Sequence, residues 1–441
     1  MNTKFLSRWE TFRFNFWFIP LIMILLTAGL AASTLWMDAT IASEVLEDIP
    51  WIYVGTPDRS LFLLSVLAGA MVTVAALVFT VTVVALTLAS SQYGHRLLRT
   101  YISDPGNQTV TGMFICTFIY CIIVLHSAPG LDAPGPTPHI SVTVAALLAF
   151  VSFGLLIYYL HHASTSLQVE IFAAGLGHNL LRAIRREHSE PGERPEPGAS
   201  DGLLAAEDAS QIPQRGTTVC SRREGYIRFI DYDRLLKLAS RRGLRIKILE
   251  QPGRFIIPGK PLAEVRGEPS SSSRLEVRIN RCFWTGPMRI LTQDIRYGID
   301  QLVEVALRAL DVNAPFTAMG CIEWIGEAMS LLARRDPADV YLYDRKGRVR
   351  VERQSTDFVA LTDSAFNQLR QFSYDVPEVS IRMLDVIALI MANARRRDYR
   401  DALLRHARMI EQGKASLIEE RDKEELSRRY ARVAAIAAAE G

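Results

Sequence analysis

Between residues 61 and 89 the chain carries no charged side chain, yet Thr73, Thr80 and Thr87 recur there seven apart, with Ser91 and Gln92 just beyond. At about 100° per residue, seven steps return to nearly the same helix face. Hydroxyls in such a line can offer oxygen lone pairs to ions or water in a narrow path. They can equally bond their own backbone and pack against another helix. His95, Arg96 and Arg99 follow. A cationic collar of this kind either meets anionic headgroups or rings the cytoplasmic mouth of a pore, where it favours anions.

A second polar group consists of Gln293, Asp294, Glu304, Arg308, Asn313, Pro315 and Thr317. Glu304 and Arg308 stand four apart, the spacing of a helix ion pair. The group reads as a buried structural network or as the wall of a ligand pocket. No P-loop, Gly-x-Ser-x-Gly, His-Glu-x-x-His or dinucleotide fingerprint occurs, so nothing points to an enzyme. His161, His162, Glu170 and His178 lack the four-residue spacing of helical metal pairs. We therefore expect no metal and no cofactor. The five cysteines are scattered, without a Cys-x-x-Cys pair, and read as small buried hydrophobes. A net charge of +3, with no basic stripe, gives no reason to expect nucleic acid as a partner.

The elements that must position these residues begin with four apolar segments, at about 14–36, 61–89, 109–125 and 140–160. About 20 apolar residues suffice for a helix to cross the hydrocarbon core. The first segment is too long for a signal-peptide core and reads as a retained span. None of the four contains Asp, Glu, Lys or Arg. Pumps and ion-coupled transporters usually keep such a group in the membrane, whereas passive channels need none. Lys4, Arg8 and Arg13 precede the first span, Arg96 and Arg99 follow the second, and Arg182, Arg185 and Arg186 come after the fourth. The first loop holds Asp38, Glu44, Glu47, Asp48 and Asp58 against Arg59 alone. The positive-inside rule then puts both termini, including residues 1–13, in the cytoplasm.

After the spans, residues 161–188 read as a helical extension with Leu167, Ile171, Ala174 and Leu181 on one face. Residues 189–215, dense in proline and glycine, read as a flexible linker. Residues 216–285 read as a small β-rich part that resembles half of a barrel-sandwich carrier domain. Lys260 sits on a turn there but lacks a carrier's acidic or Met-Lys context. Residues 286–441 read as mostly helical, with a short hairpin around Lys346–Gly347. One helix is expected to bury Phe316, Met319, Ile322, Ile325 and Met329. The fold class is thus a four-span membrane α-helical part joined to a cytoplasmic α+β domain.

Two blocks carry a family resemblance. The first comprises Ser90, Ser91, Gln92, Tyr93, then Arg96, Leu97, Leu98, Arg99, and later Gly106, Asn107, Gln108. The second runs from Gln293–Asp294 through Gly298, Leu302, Val303, Glu304, Ala306, Arg308 and Ala309 to Asn313 and Pro315–Phe316–Thr317–Ala318. Together they resemble a bacterial family of integral membrane proteins catalogued as domain of unknown function 2254. Gly94–His95 stands where that family usually has Ser-Pro, Leu310–Asp311 replaces another Ser-Pro, and Ala314 replaces an Asp. If that Asp binds an ion or caps a helix in the family, this chain has lost that role or shifted it to Asp311. The resemblance implies fold and membrane location and no particular activity. From the residues themselves, the expected function is a homo-oligomeric, channel-like passive ion conductor with the second span lining the path. The alternative is a membrane-anchored cytoplasmic module that binds a ligand or scaffolds signalling. The expected partners are the lipid bilayer, further copies of the chain, and small ions or a cytoplasmic ligand.

Overall fold

The computed structural model describes residues 18–40, 53, 56–93, 105–127, 138–166, 169–188, 216–267, 273–335 and 340–439. Residues 1–13, the connection carrying His95, Arg96 and Arg99, and the linker 189–215 lie outside the described residues. The chain divides into two compact units, 1–168 and 169–441.

Among the described residues the first unit contains four helices: α1 (Phe18–Thr40), α2 (Pro57–Tyr93), α3 (Pro105–Ser127) and α4 (His139–Ser166). All four are long and apolar enough to cross a membrane. At about 1.5 Å per residue, the 37 residues of α2 extend well past a hydrocarbon core of about 30 Å. Helix α3 is central and packs on the other three. Gly112 allows its contact with α1, since a Cβ there would strike Met23 and Pro20. One core layer joins Ala31, Leu64, Ala68, Tyr120, Val124 and Val142, and a second joins Met71, Val78, Phe114 and Tyr159.

One expectation is corrected at the end of the first span. Helix α1 does not stop near Trp36 but continues through Asp38, so a candidate span does contain a carboxylate. The physical reason is a set of donors on α4, described below.

The second unit opens with α5 (Val169–Glu187). The expected extension 161–188 is therefore divided: α4 runs on to Ser166, and α5 starts a new unit. Its buried seam is Ala173, Leu176, Leu180 and Ile184, whereas Ile171 is 55% exposed. The next strands and helices are β1 (Thr217–Cys220), β2 (Gly225–Ile230), α6 (Tyr232–Arg242), β3 (Arg245–Ile248), β4 (Phe255–Ile256), β5 (Pro261–Arg266), α7 (Ser273–Asn280) and β6 (Phe283–Gly286). Helix α6 is bounded by sequence-local chemistry: the Asp231 side chain accepts the Arg234 N–H at 2.9 Å, and Gly243 turns left-handed at φ 70°.

There follow α8 (Ile295–Asp311), α9 (Pro315–Arg334), β7 (Tyr341–Tyr343), β8 (Val349–Glu352), α10 (Phe358–Phe372), α11 (Pro377–Asn393), α12 (Arg397–Gln412), a 3-10 turn (Gly413–Ser416) and α13 (Glu420–Ala439). The strands form a five-stranded sheet ordered β1-β5-β3-β8-β7 and a three-stranded sheet ordered β4-β2-β6. Among the described residues only β3–β8 is parallel. The strands close no barrel among the described residues. The expected hairpin at Lys346–Gly347 is present as β7–β8, and it extends the sheet of the β-rich part rather than standing among helices. Ile227, Ile230, Leu235, Ile246, Leu262, Phe283 and Val351 fill the core around these strands.

Helix α9 corrects a further expectation. Ala318, Ile322, Ile325 and Met329 are buried, but Phe316 is 78% exposed. Two residues before Ala318 is about 200° around the helix, so Phe316 points away from the seam.

Candidate functional site

Thr73, Thr80 and Thr87 lie on the exposed face of α2. Each hydroxyl donates to the carbonyl four residues earlier: Gly69 at 3.1 Å, Ala76 at 2.8 Å and Val83 at 2.8 Å. The donor is thus spent within the helix, while oxygen lone pairs remain. Thr82 has the opposite role. It faces inward and shares a 2.6 Å hydrogen bond with the Tyr159 hydroxyl. Ser91 and Gln92 fall in the last turn of α2, and their side chains lie outside the described residues. Gln108, from the same family-like block, is buried near the start of α3.

A polar network that sequence reasoning missed joins α1, α3 and α4. Asp38 Oδ1 accepts the Ile140 N–H at 2.8 Å, and Oδ2 accepts the Ser141 N–H at 3.0 Å and the Ser141 hydroxyl at 2.6 Å. The first N–H groups of a helix have no partner within it, and its N-terminus favours negative charge. Asp38 supplies both needs of α4 from a different helix. The Tyr120 hydroxyl donates to the Ser141 carbonyl at 3.2 Å and meets Thr34 Oγ1 at 2.8 Å. All four side chains are buried. A carboxylate held by three donors anchors the two helix ends to each other. The end of α1 and the start of α4 consequently meet, as an up-down order of four spans requires. The sequence signal was an aspartate two residues past an apolar run, which also fits an ordinary loop charge.

The second candidate group is organised by a residue that the motif did not contain. Arg289 Nε and Nη2 hold Asp294 at 2.8 and 3.0 Å, and its Nη1 holds Asp300 at 2.8 Å. Its guanidinium also lies 5.1 Å from the centre of the Tyr297 ring. Burial alone pulls the Arg289 pKa down, but the two carboxylates more than offset it and raise it above the ordinary arginine value. Asp294 is buried and caps α8 by accepting the Tyr297 N–H at 3.0 Å. Gly253, at φ 86°, packs against this carboxylate so closely that a Cβ would overlap it. The cluster is therefore packed shut.

Gln293 is also structural. Its Oε1 accepts the Ile230 N–H at 2.8 Å and its Nε2 donates to the Ile230 carbonyl at 3.2 Å. Glu304 and Arg308 form the expected pair, 3.8 Å apart and half-exposed. Asn313 takes a left-handed φ of 57° just after α8. The Asn313 N–H reaches the Leu310 carbonyl and the Ala314 N–H reaches that of Ala309, which satisfies the helix end. Pro315 begins α9, half-buried Thr317 sits in its first turn, and Ala314 precedes it without a side-chain cap. Gln293 and Asp294 thus stand at the start of α8, while Asn313, Pro315 and Thr317 stand at the α8–α9 corner at its other end, about 25 Å away. The structure does not gather them into an open pocket.

Comparison with known proteins gives the same outline. A family model described as predicted membrane protein (DUF2254) matches residues 13–388. The uncharacterized protein Rv1290c of Mycobacterium tuberculosis is 29% identical over 351 residues, 78% of this chain and 66% of the relative. The uncharacterized protein Mb1321c of Mycobacterium bovis has the same identity and coverage. The chain spans just under two thirds of the length of these relatives. No solved structure matches.

Proposed function

The chain belongs to the DUF2254 family of predicted membrane proteins, and on that premise we propose that it is a homo-oligomeric, channel-like passive ion conductor with α2 lining the path. It sits in the inner membrane of a bacterium with both termini cytoplasmic. Its partners are the bilayer, further copies of itself and small ions. It is not an enzyme, and it uses no cofactor, metal or nucleic acid.

The observation that carries this reading is the outward face of α2. Gly69, Thr73, Ala76, Thr80, Val83 and Thr87 follow at steps of four and three, and all are exposed. Leu64, Ala68, Met71, Val78 and Ala85 occupy the opposite, buried face. A line of small residues lets a second backbone approach closely, as between membrane helices. Lipid tails gain little from such a face, whereas a ring of α2 helices uses it. The threonine oxygens then face the ring with lone pairs free for water or a cation. Purified protein in liposomes is expected to release ions passively, and its detergent-solubilised mass is expected to be a multiple of the chain. A monomer with no flux across a broad ion panel sinks the reading.

The second reading, a membrane-anchored ligand-binding module, moves away from the Asp294–Thr317 motif because its residues lie at the two ends of α8 and Asp294 is packed against Gly253. What favours it is a cavity among the later helices.

A further inference from the structure

A cavity of about 260 Å³ lies among α10, α11, α12 and α13, lined in part by Arg370, Tyr374, Met409, Ile410, Leu417 and Leu426. Its walls are mostly apolar, and no carboxylate is among the residues that line it. The Arg370 Nε is buried and has no hydrogen-bond partner among the described residues. Arg370 is only partly buried, but it is the one charged side chain among the described residues that line the cavity, and its planar fork matches a carboxylate. Ser380, also on the wall, already donates its hydroxyl to the Ser373 carbonyl at 3.0 Å. Gln371 and Tyr374, also on the wall, are neutral donors, so the positive charge that an anion would meet is that of Arg370.

We propose that this cavity binds a small monocarboxylate with a short apolar tail, an alkanoate of roughly six to eight carbons, with its carboxylate on Arg370 and its tail against Met409, Ile410 and Leu426. Size sets the tail. A dry cavity of about 150 Å³ holds one benzene, so 260 Å³ takes a molecule somewhat larger and excludes long fatty acyl chains. Charge sets the head. A phosphate would call for more donors than one arginine supplies. The 3-10 turn Gly413–Ser416 closes one side, pinned where the Ser416 hydroxyl donates to the Tyr374 carbonyl at 3.1 Å. The family match ends at residue 388. The arginine side of the cavity thus lies inside the matched region, and the apolar side from Met409 onward lies outside it.

The test is calorimetric titration of the full chain in nanodiscs, with hexanoate, hexanol, hexylamine and dodecanoate as probes and empty discs as the control. Hexanoate is expected to bind saturably, one per chain, and hexanol roughly tenfold or more weaker. Dodecanoate is expected to give no saturable heat beyond that of empty discs. Arg370→Gln is expected to weaken hexanoate by a similar factor, and Leu426→Trp to block it while thermal unfolding stays cooperative. Absence of saturable hexanoate binding, equal affinity for hexanol, or full affinity in Arg370→Gln overturns the proposal. Should Arg370→Gln not fold, the hexanoate–hexanol comparison on the unsubstituted chain decides alone. Ion flux is a separate readout, so failure here leaves the conduction reading standing.

Discussion

Asp38, near the end of α1, receives both the backbone N–H and the hydroxyl of Ser141, in the first turn of α4, at 3.0 and 2.6 Å. A charge that would be costly in hydrocarbon is thereby held where a helix N-terminus needs an anion. The pair ties together two helix ends that are about a hundred residues apart in the chain.

Removal of that carboxylate leaves the Ile140 and Ser141 N–H groups without their acceptor. Hydrogen bonds to charged groups contribute about 1.5–3 kcal/mol each, and the three share one anion. Asp38→Ala is expected to destabilise the membrane unit by about 3 kcal/mol, Asp38→Asn by less, and Ser141→Ala by about 1 kcal/mol. Unfolding in mixed micelles measures this. Equal stability of Asp38→Ala and the unsubstituted protein would show that the anchor is idle.

Arg289 is the hinge pin of the second cluster. Arg289→Met leaves Asp294, 5% exposed, buried opposite an uncharged side chain. Loss of one partner of such a pair costs on the order of 3 kcal/mol. Asp300 is more open, at 29%, so Asp300→Asn is expected to cost about 1 kcal/mol or less. Thermal unfolding of the full chain, followed by near-ultraviolet dichroism, separates the two.

Helix α9 begins at Pro315 with Ala314 at its cap position and no side chain on the free N–H groups. Ala314→Asp restores an acceptor there and is expected to stabilise the second unit by about 1 kcal/mol. An unchanged or lowered unfolding midpoint contradicts this.

His406 is fully buried, with Nε2 on Asp363 at 2.8 Å and its ring 5.8 Å from that of Phe366. Burial lowers its pKa, the Arg405 and Arg370 charges add to that, and the bond to Asp363 only partly offsets them. The folded chain therefore resists a proton that the unfolded chain accepts. Its stability contribution is complete above about pH 6.5 and is lost as pH falls toward the depressed folded value. Asp363, whose pKa is lowered despite burial by its bond to His406 and the Arg405 charge, acts only in the lower carboxylate range. The unfolding midpoint is expected to drop between pH 7 and 5, and His406→Gln is expected to flatten that drop. A parallel drop in His406→Gln refutes the assignment.

What was legible in the sequence was local. Four uncharged runs announce four helices because the hydrocarbon core tolerates little else. Gly347, at φ 75° in the β7–β8 turn, marks its hairpin, and the four-residue step from Glu304 to Arg308 marks their pair. What was not legible depends on distant partners. Nothing near Lys346 announces that β8 pairs in parallel with β3 about a hundred residues earlier. Arg289 stands before α8 and outside any helix, so helical spacing does not announce its reach to Asp294 and Asp300. Asp38 looked like a loop charge because the donors that bury it lie on α4. Phe316 looked like core by its residue type, although it stands about 200° round the helix from Ala318 and off the buried seam.

The most direct measurement of the central claim compares ion flux in liposomes for Thr80→Trp and Phe79→Trp. Both positions are exposed on α2, but they lie about 100° apart around it. If the threonine face lines the path, Thr80→Trp lowers the flux by roughly tenfold or more while Phe79→Trp leaves it near that of the unsubstituted protein. Equal flux in all three, or no flux in any, contradicts the account.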